Sequence, residues 1–195
     1  MATLFIIAGC NGSGKTTASN TLLPEFLNCK EFVNADAIAA GLSPFSPDAV
    51  SLEAGKIMLG RISHLIGTNA NFAIETTLSG KVYTHIINNC RSAGYEIVLI
   101  YFWLNSPELA VARVKLRVKR GGHDIPKHVI YRRYKRGIVN FFETYQALSD
   151  YWLVFDNSQG KPELVAEGND LIDFSVFNNE IWASLTTVFD EYNKN

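Results

Sequence analysis

A chain of 195 residues with 47% hydrophobic content can build a full-sized core, and its length favours one domain over two. Aromatics at 12% argue against disorder, and no run approaches the roughly 18 consecutive apolar residues of a membrane helix. A net charge of −1 excludes a globally basic polyanion binder.

The elements follow in chain order. "TLFIIAG" reads as a strand buried on both faces, and the apolar start "MATLFIIAGC" lacks the basic flank of a signal peptide. "KTTASNTLL" reads as a helix that Pro24 ends early. "EFVNAD" is a short second strand. "PDAVSLEAGKIMLGRISHLIG" is a helix with Pro47 at its start and Val50, Ile57, Ile62 and Leu65 at helical spacing. "NFAIET" is a third strand, and "KVYTHIINNCRSAG" a helix ended by Gly94. "YEIVLIYFWL" is a central fourth strand. "SPELAVARVKLRVKR" is a helix capped by Ser106, broken from the next by Gly121-Gly122. "PKHVIYRRYKRGIVNFFETYQALS" is a long helix with an apolar stripe at Ile130, Tyr134, Ile138, Phe141, Tyr145 and Leu148. "DYWLVFDN" is a fifth strand. A polar hairpin-like region and a last helix near residues 176–192 close the chain. The alternation predicts an α/β fold of three layers: a parallel five-stranded sheet with helices on both faces. Residues 1–195 are expected to form a single domain.

"GCNGSGKT" fits G-x-x-x-x-G-K-[ST], with a buried strand before it and a helix after it. Its glycines let backbone N–H groups wrap a phosphate. Gly9, Cys10, Asn11, Gly12, Ser13, Gly14, Lys15, Thr16 and Thr17 are therefore the expected nucleotide site. Lys15 reaches the β- and γ-phosphates of ATP or GTP, and the Thr16 hydroxyl is the expected Mg²⁺ ligand. Cys10 reads as a small filler beside the loop, the alternative being an oxidisable thiol that blocks nucleotide.

Nucleotide binding leaves the reaction open. No strand ends in the plain hhhhD of a motor-type ATPase. Instead "FVNAD" and "FAIET" place Asp36 and Glu75 just past strand ends, where an open α/β sheet lines its ligand crevice. A carboxylate there can take a proton from an attacking hydroxyl or bind Mg²⁺ through water. The alternatives are a helix cap for Asp36 and a structural partner for Glu75. Thr76, Thr77 and Ser79 suit a polyhydroxylated acceptor and equally suit capping.

Charge supplies the third feature. Residues 113–136 carry ten of the eighteen Lys and Arg, whereas from Asp150 onward two basic residues face nine acids. Arg113, Arg117 and Arg120 share one helix face, and Arg133 and Arg136 share a face of the next helix. With Gly121-Gly122 as a hinge they read as a lid closing on triphosphate. A nucleic-acid surface is the alternative, disfavoured because Tyr134 and Phe141 sit on the apolar stripe rather than exposed for base stacking. A nucleotide-dependent switch is a third reading. His123 reads either as a turn residue or as a phosphate or substrate contact. Cys10, Cys29 and Cys90 have no metal spacing, and a reducing cytoplasmic compartment is the simple reading.

At these residues the chain resembles the zeta toxin family of P-loop kinases. "GCNGSGKTT", "FVNADAIAAGLSP", "FAIETTLSG", "ARVKLRVKRGGHDIPKHVIYRRYKRGIVNF" and "VFDNS" carry the resemblance, in that order, over about residues 3–158. It implies a nucleotide-kinase-like fold with a helical lid at about residues 113–136. It implies Mg-ATP-dependent phosphorylation of a sugar hydroxyl, with UDP-N-acetylglucosamine as the acceptor of the toxin branch. By position, Lys15 and Thr16 match the phosphate and Mg²⁺ residues, and Asp36 the carboxylate that deprotonates the acceptor. Glu75 and Thr77 match the substrate-side E-x-T, and Arg117 or Arg113 a phosphate-clamping arginine. Where the toxin branch has an arginine after E-x-T this chain has Ser79, and its second lid arginine falls near His123. The expected site is therefore Lys15, Asp36, Arg113 and Arg117 for catalysis, with Arg120 added to the nucleotide loop. Asp36, Glu75, Thr77, Ser79, His123 and Arg133 are expected at the acceptor. The expected partners are ATP and a small hydroxylated acceptor, with no membrane; an antitoxin protein is left open.

Overall fold

The computed structural model describes residues 1–169 and 172–193. The first apolar run is β1 (Thr3–Gly9), buried along its whole length. A strand with two buried faces has to lie inside a covered sheet. β1 pairs in parallel with β3 (Phe72–Thr76) on one side and β4 (Glu96–Trp103) on the other. β2 (Glu31–Val33) adds in parallel outside β3, and β5 (Tyr151–Asp156) outside β4. β6 (Glu163–Gly168) and β7 (Phe174–Val176) then add antiparallel beyond β5. The order β2-β3-β1-β4-β5-β6-β7 makes a mixed seven-stranded sheet, not the parallel five-stranded one expected.

The five parallel strands stand as read; the two extra ones come from the region read as a polar hairpin. β6 carries Glu163, Glu167 and Gly168, and β7 is three residues long, so neither shows a continuous apolar run. β7 is an edge strand, and β6, between β5 and β7, contributes the buried Val165 and Ala166 to the core.

The described residues form seven α-helices: α1 (Lys15–Thr21), α2 (Ala35–Leu42), α3 (Ser51–Gly67), α4 (Tyr83–Ser92), α5 (Pro107–Lys119) and α6 (Lys127–Asn140) between strands, and α7 (Asn179–Asn193) after the last one. Pro24 does not end the first helical path. The chain widens into a π-helical turn, Leu22–Phe26, closed by Leu27 N–H donating to the Leu22 carbonyl (3.1 Å). That register spares the proline its missing donor. A second π turn, Phe141–Tyr145, interrupts the long helix after Asn140 and keeps Phe141 and Tyr145 in the core. Residues Pro47–Val50 are a 3₁₀ turn rather than the first turn of α3, and Ile57 of the predicted stripe is 43% exposed. Its place on the buried face is taken by Ala54, with Ile62 and Leu65.

β1 divides the core by its alternation. Leu4, Ile6 and Ala8 face a large cluster reached by α3, α4, α5, α6 and α7. Phe5 and Ile7 face a smaller cluster with Leu23, Cys29 and Phe102. Among the described residues no helix is long and apolar enough to cross a membrane.

Candidate active site

At the end of β1 the chain turns at Gly9, φ +139°, where a Cβ would overlap the Phe102 carbonyl of β4. Only glycine fits that position. The loop closes with Ser13 N–H donating to the Cys10 carbonyl (3.2 Å) and delivers Lys15 as the first residue of α1. Lys15 is buried; its Nζ donates to the Cys10 carbonyl (2.9 Å) and stands 3.8 Å from a Glu75 oxygen. Burial pushes its pKa below the ordinary 10.5, Glu75 opposes this, and the Arg117 charge adds to the lowering. Burial pushes the Cys10 thiol up to about 11, so it stays protonated at neutral pH and fits the filler reading.

Glu75 belongs to β3 itself, one residue before its end, rather than lying past it. Its Oε2 accepts from the Thr16 hydroxyl (2.8 Å) and from Asn34 Nδ2 (2.9 Å). A hydroxyl and a carboxylate so close form the hard oxygen pair that suits Mg²⁺, which keeps most of its other positions for water and phosphate. Asn34 does a second job. Its Oδ1 accepts from the N–H groups of Asp36 (2.8 Å) and Ala37 (3.2 Å), capping α2. The cap is thus Asn34 and not Asp36. Asp36 lies in the first turn of α2 with its carboxylate exposed and lining the pocket.

That pocket is about 270 Å³ and opens beside the P-loop. The P-loop side contributes Asn11 and Lys15, α2 contributes Asp36, and α6 contributes Arg133, whose Nη1 donates to Asn11 Oδ1 (3.2 Å). The side away from the P-loop is Thr77, Ser79 and Tyr83. Thr77 and Ser79 share a hydrogen bond between their hydroxyls (2.9 Å).

Residues 77–80 are held from outside. Leu78 sits fully buried at φ +53°, a conformation disfavoured for a branched aliphatic residue. Its N–H donates to Thr76 Oγ1 (3.1 Å), and its carbonyl accepts from buried Asn140 Nδ2 (2.6 Å). The Tyr145 hydroxyl donates to the Gly80 carbonyl (2.6 Å). A Cβ on Gly137 would come within 2.7 Å of the Thr77 carbonyl. The helix bearing Arg133 therefore also shapes residues 77–80.

Two arginines of α5 are engaged within the chain. Arg113 Nη2 donates to the carbonyls of Asn157 (2.7 Å) and Ser158 (3.0 Å), and Asn157 Nδ2 donates to the Ser13 carbonyl (2.7 Å). Arg117 Nη2 donates to the His123 carbonyl (2.8 Å). Gly121 and Gly122 donate back to the Val118 and Arg117 carbonyls, forming the C-terminal cap of α5. His123 Nε2 lies 3.4 Å from Asp48, in the 3₁₀ turn before α3. Arg113, Arg117, Arg120 and His123 do not line the pocket; Arg133 does. Thr17 and Arg120 are exposed. Asn34, Tyr83 and Asn157 are the residues that sequence reasoning missed. Only Asn34 carried a legible signal, an Asn directly before a helix-forming run.

A glycine loop with Lys-Thr at the end of a central parallel strand, facing carboxylates from β3 and α2, defines an α/β P-loop fold resembling the P-loop kinases. The zeta toxin model matches residues 2–160, and the chain belongs to the zeta toxin family. It is 31% identical over 126 residues to an uncharacterized protein of Haemophilus influenzae, covering 65% of this chain and 88% of that one. Among solved structures it resembles a chain of the AvrRxo1-ORF1:AvrRxo1-ORF2 assembly with ATP, at TM-score 0.76 and 20% identity over 95% of this chain. The chain spans 64% of that protein's length. It also resembles a chain of the PezAT chromosomal toxin–antitoxin system of Streptococcus pneumoniae, at TM-score 0.64 and 16% identity, covering 100% of this chain and 88% of that one.

Proposed function

We propose that this chain transfers the γ-phosphoryl group of ATP to a hydroxyl of a small acceptor. One observation carries the reading: the exposed carboxylate of Asp36, freed from capping by Asn34, opens into the same pocket as P-loop Lys15. Asp36 takes the proton of the acceptor hydroxyl, whose oxygen then bonds to the γ-phosphorus as the bond to ADP breaks. Lys15 holds the phosphates, and Arg133 adds positive charge where it develops. Thr16 and Glu75 would hold Mg²⁺, which when bound neutralises the β- and γ-oxygens. The AvrRxo1 assembly with ATP agrees with the choice of donor. Arg117 and Arg113 are the lid arginines of this reading, each leaving its present carbonyl partner only if the lid closes. UDP-N-acetylglucosamine, the acceptor of the toxin branch, is the first nucleotide sugar to try, and an antitoxin-like partner is the corresponding protein to look for. A nucleic-acid role is not favoured: Arg113 and Arg117 bind backbone carbonyls of the same chain, and Arg133 binds Asn11 of the P-loop.

The test is Asp36→Asn, assayed for ATP-dependent phosphorylation of the acceptor and, separately, for ATP binding. Turnover falls by about 10²–10⁴-fold, as for loss of a general base, while ATP affinity is kept. Unchanged turnover removes Asp36 from the base role.

A further inference from the structure

The pocket's charge distribution narrows the acceptor, an inference that rests on the kinase reading above. Lys15 and Arg133 are the cationic side chains lining the pocket, and both are tied to the P-loop, on the Cys10 carbonyl and on Asn11 Oδ1. In the transfer both belong to ATP. The rest of the lining offers the opposite charge, the carboxylates of Asp36 and Glu75, and then uncharged hydroxyls on Thr77, Ser79 and Tyr83. Lys81, the nearest basic residue in sequence, is exposed and outside the lining. A phosphate on the acceptor would stand beside Asp36, with the Arg133 guanidinium of the lining already tied to Asn11 of the P-loop, and anions bound in proteins are met by such groups.

We infer that the acceptor is a neutral polyhydroxylated ring without phosphate or diphosphate, laid against Tyr83 and read by the Thr77–Ser79 hydroxyl pair. The pocket, about 270 Å³, has room for one ring beside the P-loop. The loop is built before the ligand arrives, with Leu78 and Gly80 pinned by Asn140 and Tyr145. Such preorganisation favours a rigid ring whose hydroxyl positions are fixed. Tyr83 serves as a donor throughout the neutral range: burial, reinforced by Asp36 and Glu75, pushes its phenol above the ordinary value.

The experiment uses the full chain with Mg-ATP and a set of matched acceptors: ribonucleosides, N-acetylhexosamines and inositol, each beside its own monophosphate, plus UDP-N-acetylglucosamine. A neutral member is expected to exceed its phosphorylated counterpart at least tenfold in kcat/KM. Tyr83→Phe should raise the acceptor KM severalfold with the KM for ATP unchanged, and Ser79→Arg should reduce the preference for the neutral member. A phosphorylated or UDP-linked acceptor preferred by the natural chain overturns this inference and leaves the kinase reading intact. No transfer to any compound, with ATP bound, overturns both. A Tyr83→Phe protein with unchanged acceptor KM overturns the reader assigned here.

Discussion

Lys15 shows how much of the site depends on burying a charge. Its ammonium is taken out of water beside Glu75, and the burial, partly offset by that carboxylate, lowers its pKa below 10.5. The unfolded chain holds this proton more tightly than the folded one. At neutral pH the buried charge therefore costs stability, a cost relieved as pH rises through the window below 10.5. Nucleotide binding has the opposite sign, because triphosphate needs the proton present. ATP affinity should then decline on the alkaline side beginning below pH 10.5, and titration calorimetry in that alkaline window should show proton uptake on binding. Lys15→Arg should remove that uptake, because guanidinium stays charged. Asn34 makes a second residue-scale case. Asn34→Asp keeps an acceptor for the α2 cap but sets a second carboxylate against Glu75 in place of a donor. It should keep the cap's own contribution within about 1 kcal/mol by the cap ranking, while the facing carboxylates repel each other and phosphoryl transfer falls. Asn34→Ala, which loses the cap as well, should destabilise by about 0.5–2 kcal/mol in a denaturant titration.

At the scale of elements, the loop of residues 77–80 is shaped by α6 as well as by the strand it follows. The apolar stripe Ile130, Tyr134, Ile138 was legible as a buried face, and all three are buried. The two residues on that helix that touch the loop, Gly137 and Asn140, look like interruptions of the stripe when read in one dimension. Their purpose depends on a contact 62 residues away in the chain, Asn140 to Leu78. Periodicity reports which face is buried and says nothing about which backbone it meets. The left-handed Leu78 was equally hidden, since nothing in a leucine codes for positive φ. Asn140→Leu removes the donor and leaves the Leu78 carbonyl buried without it, a loss of about 1–3 kcal/mol. The strained loop then relaxes. Acceptor KM should rise while ATP affinity holds, because the P-loop hangs on other contacts. Equal losses in both would mean that the helix supports the whole site rather than the acceptor side.

For the whole molecule, the motif-bearing elements were readable because each carries its own local signature: an apolar run, a glycine loop, a Pro or Gly at a helix end. β6 and β7 were not, because short strands at the end of a sheet borrow their order from the strand they join. That edge matters to the site. The turn between β5 and β6 holds Asn157 and Ser158, and these bind the P-loop at Ser13 and α5 at Arg113. Two readings of Arg113 therefore compete on measurable ground. A phosphate clamp contributes nothing until nucleotide arrives; a strut between α5 and the β5–β6 turn contributes before. Arg113→Lys keeps the charge but cannot bridge both carbonyls with one planar fork. Hydrogen bonds from charged groups are worth about 1.5–3 kcal/mol each, so the nucleotide-free protein should lose stability of that order. For a chain of this size that is a fall of about 3–12 °C in Tm, at about 2–4 °C per kcal/mol. Differential scanning fluorimetry without and with saturating ATP separates the two. The strut predicts the fall in both conditions with the ATP-induced shift largely kept. A clamp alone predicts an unchanged Tm without ATP and a reduced shift with it. The two bonds to Asn157 and Ser158 favour the first outcome.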